Sequence, residues 1–164
     1  MEQAISVGLG ELVVTDDLNA VLIAFGLGSC VGLVAYDPVS RVGGLLHAML
    51  PSAAGRQQNG DRGRTKFVDT GLDEMLRRLA AAGARRDHLI WRLAGGAQML
   101  AAPGLTDRFN IGSQNVAIAL DLLSREHLRV VGTDSGGHEG RTVRLYINSG
   151  RVTVRKVSGE ERPL

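Results

Sequence analysis

Short runs rich in β-branched and apolar residues, each closed within a few positions by Gly, Pro, Asn or Asp, recur along almost the whole chain. They read as strands at Glu11–Val14, Ala20–Phe25, Cys30–Tyr36, Gly43–Leu50, Leu89–Ala94, Leu128–Thr133, Thr142–Ile147 and Arg151–Val157. The last two form a hairpin around Asn148-Ser149-Gly150. Two segments carry helical spacing instead. In Lys66–Ala82, Val68, Leu72, Met75, Leu76 and Leu79 share one face, with Thr65 as N-cap and Gly83 as the stop. Asp73 and Glu74 each precede an arginine by four residues (Arg77, Arg78), which marks that helix's exposed face. In the second helix, about Ser113–His127, Val116, Ala119, Leu120 and Leu123 point inward and Ser113 is the cap. Helices this sparse exclude a repeated strand–helix–strand winding. The expected class is α+β: a layered α/β/β sandwich, two main helices packed on mostly antiparallel sheets. Ser52–Arg64, polar and Gly-rich, reads as a surface loop and not a domain linker. Residues 1–164 are expected to form one domain, a length that supports a hydrophobic core.

The charge balance narrows the function classes. Nineteen basic and 17 acidic residues give a net charge of +2, spread along the chain, and aromatics are 4%. That combination speaks against nucleic acid as a partner. Charged residues interrupt every apolar stretch well short of the ~20 residues a membrane helix needs, so no membrane insertion is expected. The beginning, MEQAISVGLGELVV, lacks the pattern of a signal peptide, and the expected compartment is the cytoplasm. The histidines His47, His88, His127 and His138 are scattered, and Cys30 has no companion cysteine. No metal site and no cofactor is therefore expected. A lone cysteine also forms no internal disulfide. It is either an inert buried thiol or a reactive one.

The neighbourhood of Cys30 bears on that choice. Gly26-Leu27-Gly28-Ser29-Cys30 leads into a strand, a turn at Asp37-Pro38-Val39-Ser40, and a second strand reaching His47-Ala48-Met49-Leu50-Pro51. With Pro38 and Val39 central in the turn, Tyr36 pairs with Arg41 and Cys30 with His47. Opposed residues of an antiparallel pair share a face, with Cβ atoms ~5 Å apart. An imidazole there can activate a thiol and later protonate a leaving amine. Gly26 and Gly28 allow close approach of a substrate. Backbone amides at Gly28, Ser29 and Cys30 are candidates to hold an oxyanion. The alternative is a tight glycine turn with a buried cysteine and a core histidine.

GLGSCVGLVAYDPVSRVGGLLHAMLP resembles the core signature of the CheD family. The resemblance continues through Lys66-Phe67-Val68-Asp69-Thr70, Gly95-Gly96-Ala97-Gln98-Met99, Ile111-Gly112 with Asn115-Val116, and Gly136-Gly137 followed by Gly140-Arg141. It runs in the family's order from about Ile5 to Val157. It implies a layered sandwich that deamidates glutamine side chains to glutamate in the cytoplasmic helical bundle of methyl-accepting chemotaxis receptors. It also implies a CheC-type phosphatase as a further partner. Cys30 matches the family's nucleophile and His47 its base. The family commonly has a threonine where this chain has Ala24, and that hydroxyl helps orient the histidine. Neither Ala24 nor Phe25 can accept a hydrogen bond from the imidazole through its side chain. A backbone carbonyl, Ser29, Thr65 or a water is left to do so.

Gly95 and Gly96 either line the site with backbone amides or form a plain turn. Arg141 either contacts the receptor or is a solvated charge. Lys66, a cation at a helix start, suggests a local role. His88, His127 and His138 read as surface or structural residues, and Gln98-Met99 as packing. Two other function classes remain. One is a catalytically weak or inactive adaptor that binds receptors or a CheC-type phosphatase. The other is a cysteine protease or acyltransferase.

Overall fold

A computed structural model describes residues 1–54, 60–99 and 110–164, leaving aside the side chains of residues 61 and 62. Among them are ten strands in two five-stranded sheets. The outer sheet has the order β1 (Gln3–Ser6), β3 (Ala20–Leu27), β8 (Arg141–Tyr146), β9 (Val152–Lys156) and β10 (Arg162–Pro163). The central sheet has the order β2 (Leu12–Thr15), β5 (Val42–Ala48), β4 (Val31–Asp37), β6 (Ile90–Gly95) and β7 (Arg129–Ser135). Only β1–β3 and β6–β7 pair in parallel. Helices α2 (Val68–Ala81) and α3 (Ile111–Arg125) pack on the far face of the central sheet, and α1 (Gly60–Thr65) precedes them. The architecture is the expected helix–sheet–sheet layering.

Burial on both faces explains why β4 and β5 read as nearly continuous apolar runs. Along β5, Val42, Leu46 and Ala48 join the helix-facing cluster, while Leu45 joins the cluster between the sheets. Along β4, Val31, Leu33 and Ala35 face the helices, and Val34 and Tyr36 face the other sheet. Gly43 and Gly44 bring the layers close. A Cβ at Gly43 would stand 2.7 Å from Ile147, and one at Gly44 would stand 3.0 Å from Val14.

The β4–β5 register departs from expectation by two residues. The ladder closes at Asp37↔Val42, so His47 opposes Gly32 and not Cys30. The buried carboxylate of Asp37 accepts from the amides of Val39 (2.8 Å) and Ser40 (3.2 Å). Arg41 adopts φ 59°, and its amide donates to the Asp37 carbonyl. The turn therefore spans Pro38–Arg41. A two-residue slip leaves each side chain on its own face.

The helices begin elsewhere than expected. Phe67, not Thr65, is the N-cap of α2, and Thr65 donates to the Gly10 carbonyl (2.6 Å). Lys66 thus precedes the helix rather than opening it. Asn110 caps α3, accepting from the Ser113 amide (3.0 Å). Glu74 lies on no exposed face: it is 1% accessible and takes Arg77 and Arg78 together. Burial alone would raise its carboxyl pKa, but the hydrogen bonds from Arg77 and Arg78 outweigh that and hold it low. Leu120, expected inward, is exposed, and Asn115 is buried in the α3 stripe with Gly112, Ala119 and Leu123. The tract Ser52–Arg64 is not all loop, because α1 occupies its end from Gly60; residues 55–59 lie outside the described ones.

Candidate active site

His47 is 2% exposed, and the turn between β1 and β2 surrounds it. Its amide donates to the Glu11 carbonyl (2.9 Å), and its carbonyl accepts from the Gly10 amide (2.8 Å). Its Nδ1 lies 2.9 Å from the Val7 carbonyl. A carbonyl only accepts, so in the neutral ring Nδ1 carries the hydrogen and Nε2 keeps the lone pair. Nε2 is buried with no hydrogen-bond partner among the described residues. Val7 is itself anchored, its amide donating to the Ile23 carbonyl (2.7 Å). Burial pushes the His47 pKa below its ordinary value, against the opposing effects of the Val7 carbonyl and the Glu11 charge. Burial therefore favours the neutral ring. Ala24 is fully buried and pairs with Val143, while Phe25 is turned outward.

Cys30 is the last residue of a bend before β4, half-buried against the cluster between the sheets. His47 shares a face with Leu45 by strand alternation, and that face looks into the same layer. Cys30, one residue beyond the end of the ladder, and His47, opposite Gly32, thus face the same layer. No hydrogen bond joins the two, because the His47 Nε2 has no partner among the described residues. Burial pushes the Cys30 thiol above its ordinary pKa, and its own backbone amide offsets part of the rise. Burial thus disfavours the charged form of each group.

Three contacts hold the Gly28–Cys30 bend. The Gly96 amide donates to the Cys30 carbonyl, and the Ala97 amide to the Gly28 carbonyl (both 2.8 Å). The Asn115 side-chain amide donates to the Ser29 carbonyl (2.9 Å) and also to the Met49 carbonyl (3.0 Å). Gly95 (φ 105°) must be glycine, because a Cβ there would lie 2.3 Å from the Cys30 carbonyl oxygen. Gly95 and Gly96 therefore brace the Cys30 backbone from behind. They are neither a plain turn nor, in the case of the Gly96 amide, a free donor for substrate.

Arg141 is neither a receptor contact at the surface nor a solvated charge. It is 1% exposed, and its guanidinium binds the Gly95 and Asp134 carbonyls (both 2.8 Å) and the Gly136 carbonyl. His127 (φ 54°) follows the end of α3, exposed His138 meets the Gln98 carbonyl (3.1 Å), and His88 lies 3.5 Å from Asp37. Met99 is exposed. Sequence reading missed the Val7–Glu11 turn and Asn115. The available signals were Gly8 and Gly10 in a short turn and an asparagine within an apolar helical stripe.

No group of three or more His, Cys, Asp or Glu among the described residues could hold a metal ion. No described helix is long and apolar enough to cross a membrane.

Comparison with known proteins agrees with this architecture. The family model for CheD chemotactic sensory transduction matches residues 49–156. A probable chemoreceptor glutamine deamidase CheD of Symbiobacterium thermophilum is 44% identical over 160 residues, covering 97% of this chain and 96% of that protein. A relative of the same name from Pyrococcus abyssi is 42% identical over 160 residues, covering 97% and 95%. The chain belongs to the CheD family. The family-model match begins after Cys30 and His47, but the full-length relatives extend the CheD likeness across the whole chain. A crystal structure of a Neisseria meningitidis protein of family-model DUF152 shares the fold, with a TM-score of 0.52 at 10% identity. That match covers 83% of this chain and 64% of the other.

Proposed function

We propose that this CheD protein hydrolyses glutamine side chains of chemotaxis receptors to glutamate, with Cys30 as nucleophile and His47 as base. The observation that carries the mechanism is the contact of His47 Nδ1 with the Val7 carbonyl, which assigns the tautomer. The Val7 carbonyl occupies Nδ1 (2.9 Å), which leaves Nε2 to accept a proton on the layer that Cys30 faces. The relatives' names supply the reaction and the receptor. The single domain of residues 1–164 works in the cytoplasm on the receptors' helical bundle, and a CheC-type phosphatase is its second partner.

A neutral pair suits a concerted start. The Sγ–H proton passes to Nε2 as sulfur bonds to the carboxamide carbon, and the carbonyl π electrons move to oxygen. The Cys30 amide, which already faces its own sulfur, stabilises that oxyanion with Gly28 and Ser29 backbone beside it. Collapse expels ammonia, which takes the proton from Nε2–H. Water then gives a proton to Nε2 and its oxygen to the thioester carbon. The thiol leaves with that proton, and the new carboxyl ionises. No step calls on a metal or cofactor.

The raised thiol pKa also supports a second reading, an adaptor that binds receptors or the phosphatase without chemistry. Receptor cytoplasmic fragments separate the two. Peptide mass spectrometry should find Gln-to-Glu conversion with wild type and none with Cys30→Ala. Binding without conversion by wild type would establish the adaptor.

A further inference from the structure

The β4–β5 ladder ends at Val31↔Ala48, one residue short of the cysteine. Beyond it the two backbones diverge. On one side the Cys30 carbonyl takes the Gly96 amide at the end of β6; on the other the Met49 amide goes to the Lys66 carbonyl (2.8 Å). Between the parted ends the carbonyls of Ser29 and Met49 both point at one group, the Asn115 side-chain amide of α3. Two carbonyl oxygens repel at close range, and a group with two N–H donors can satisfy both. Aspartate at 115 would offer no donor, and serine only one.

Asn115 is not placed there for stability alone. It is 0% exposed within the apolar stripe of α3, and its Oδ1 is buried with no partner among the described residues. An unpaired buried acceptor is a net cost to folding. The bonded end touches the residue before Cys30 and the second residue after His47.

We infer that Asn115 is a positioning residue, whose amide fastens the parted ends of the β4–β5 ladder and so sets the approach of the Cys30 sulfur to the His47 ring. The catalytic part of this inference rests on the deamidase reading; the placement of the thiol does not.

The test uses the full chain with Asn115→Leu, which keeps the side chain's approximate size and removes both donors. Asn115→Ser is the second variant, and it decides if the leucine variant does not fold. Cys30 is the one cysteine in the sequence, so iodoacetamide alkylation followed against pH reports on it alone. Released from Asn115, the bend opens and the thiol gains water. The alkylation midpoint should fall by at least about half a pH unit, towards the ordinary thiol value. On receptor fragments kcat should fall at least about tenfold with KM within about twofold. A thiol that is more reactive to a small reagent but poorer in turnover is not the result of lost stability alone. Folded variants with wild-type kcat and midpoint would overturn the inference. If the wild type converts no glutamine, the deamidase reading falls, and the midpoint shift still decides whether Asn115 positions the thiol.

Discussion

On the helix side of the central sheet, Leu46 of β5 meets Val68, Leu72, Met75 and Leu79 in one apolar cluster. One residue along the same strand and on the other side, His47 sits in a turn of backbone hydrogen bonds with a buried, unpartnered nitrogen. The first environment is satisfied by close packing. The second holds a polar atom in readiness at a cost in stability. Because side chains alternate along a strand, one β-strand supplies both, and loss of function should separate from loss of fold by face.

The largest separation is expected at Cys30. Cys30→Ala removes the proposed nucleophile, and turnover on receptor fragments should fall at least about a thousandfold. The thermal midpoint should move little, because the side chain is small and only half-buried. A large loss of stability would mean that Cys30 belongs with the packing residues.

Leu46→Ala should do the reverse. Leu46 is fully buried and touches the space beside Gly71, where a Cβ would lie 2.9 Å away. The variant should lose about 2–5 kcal/mol in denaturant unfolding. Turnover per folded molecule should stay within about twofold of wild type, since the side chain points away from His47. A tenfold drop there would show that the two faces are coupled.

The faces should also titrate apart. Burial lowers the His47 pKa, so the folded state resists protonating it. The stability this confers is complete above the ordinary histidine value of ~6.5 and is lost as pH falls through and below it. Glu74 is held low by Arg77 and Arg78 in spite of burial, so its contribution is complete above ~4.3 and is lost below that. Asp37 adds to the same acid window, its burial outweighed by the amides of Arg85, Val39 and Ser40. Stability measured by denaturant unfolding against pH should therefore decline in two stages. His47→Gln should remove the upper stage and leave the lower; an unchanged upper stage would assign it to another group.

The layer order was readable because strand and helix periods are local properties of the sequence, and the strand runs and both helices lie within a few residues of where they were expected. The register was not, because Pro38-Val39 fits a tight turn as well as the longer one, and the choice falls to the buried Asp37 carboxylate and its amide donors. Cys30 and His47 nevertheless share a face, since a two-residue slip keeps each side chain on its own side. Val7 was not legible, because its contribution is a carbonyl, and main-chain atoms leave no residue-type signature. Asn115 falls between these cases. Its polarity inside an apolar stripe is visible, but the carbonyls it joins are 86 and 66 residues away in sequence.

The smallest expected effect concerns Ala24, where the resemblance drawn from the sequence implies a threonine. Were the imidazole unheld, Ala24→Thr should raise turnover strongly. The Val7 carbonyl already occupies Nδ1, however, and Val7 is fastened to Ile23 in the strand that carries Ala24. A new hydroxyl that accepted from the ring would find that donor already in use. Ala24 is also fully buried within the cluster between the sheets, so two added heavy atoms overfill that layer, at about 1–3 kcal/mol. Ala24→Thr should therefore change kcat by less than about threefold while lowering stability. A tenfold gain would show that the Val7 bond leaves the ring too free, and that the β1–β2 turn holds His47 less firmly than its three backbone contacts indicate.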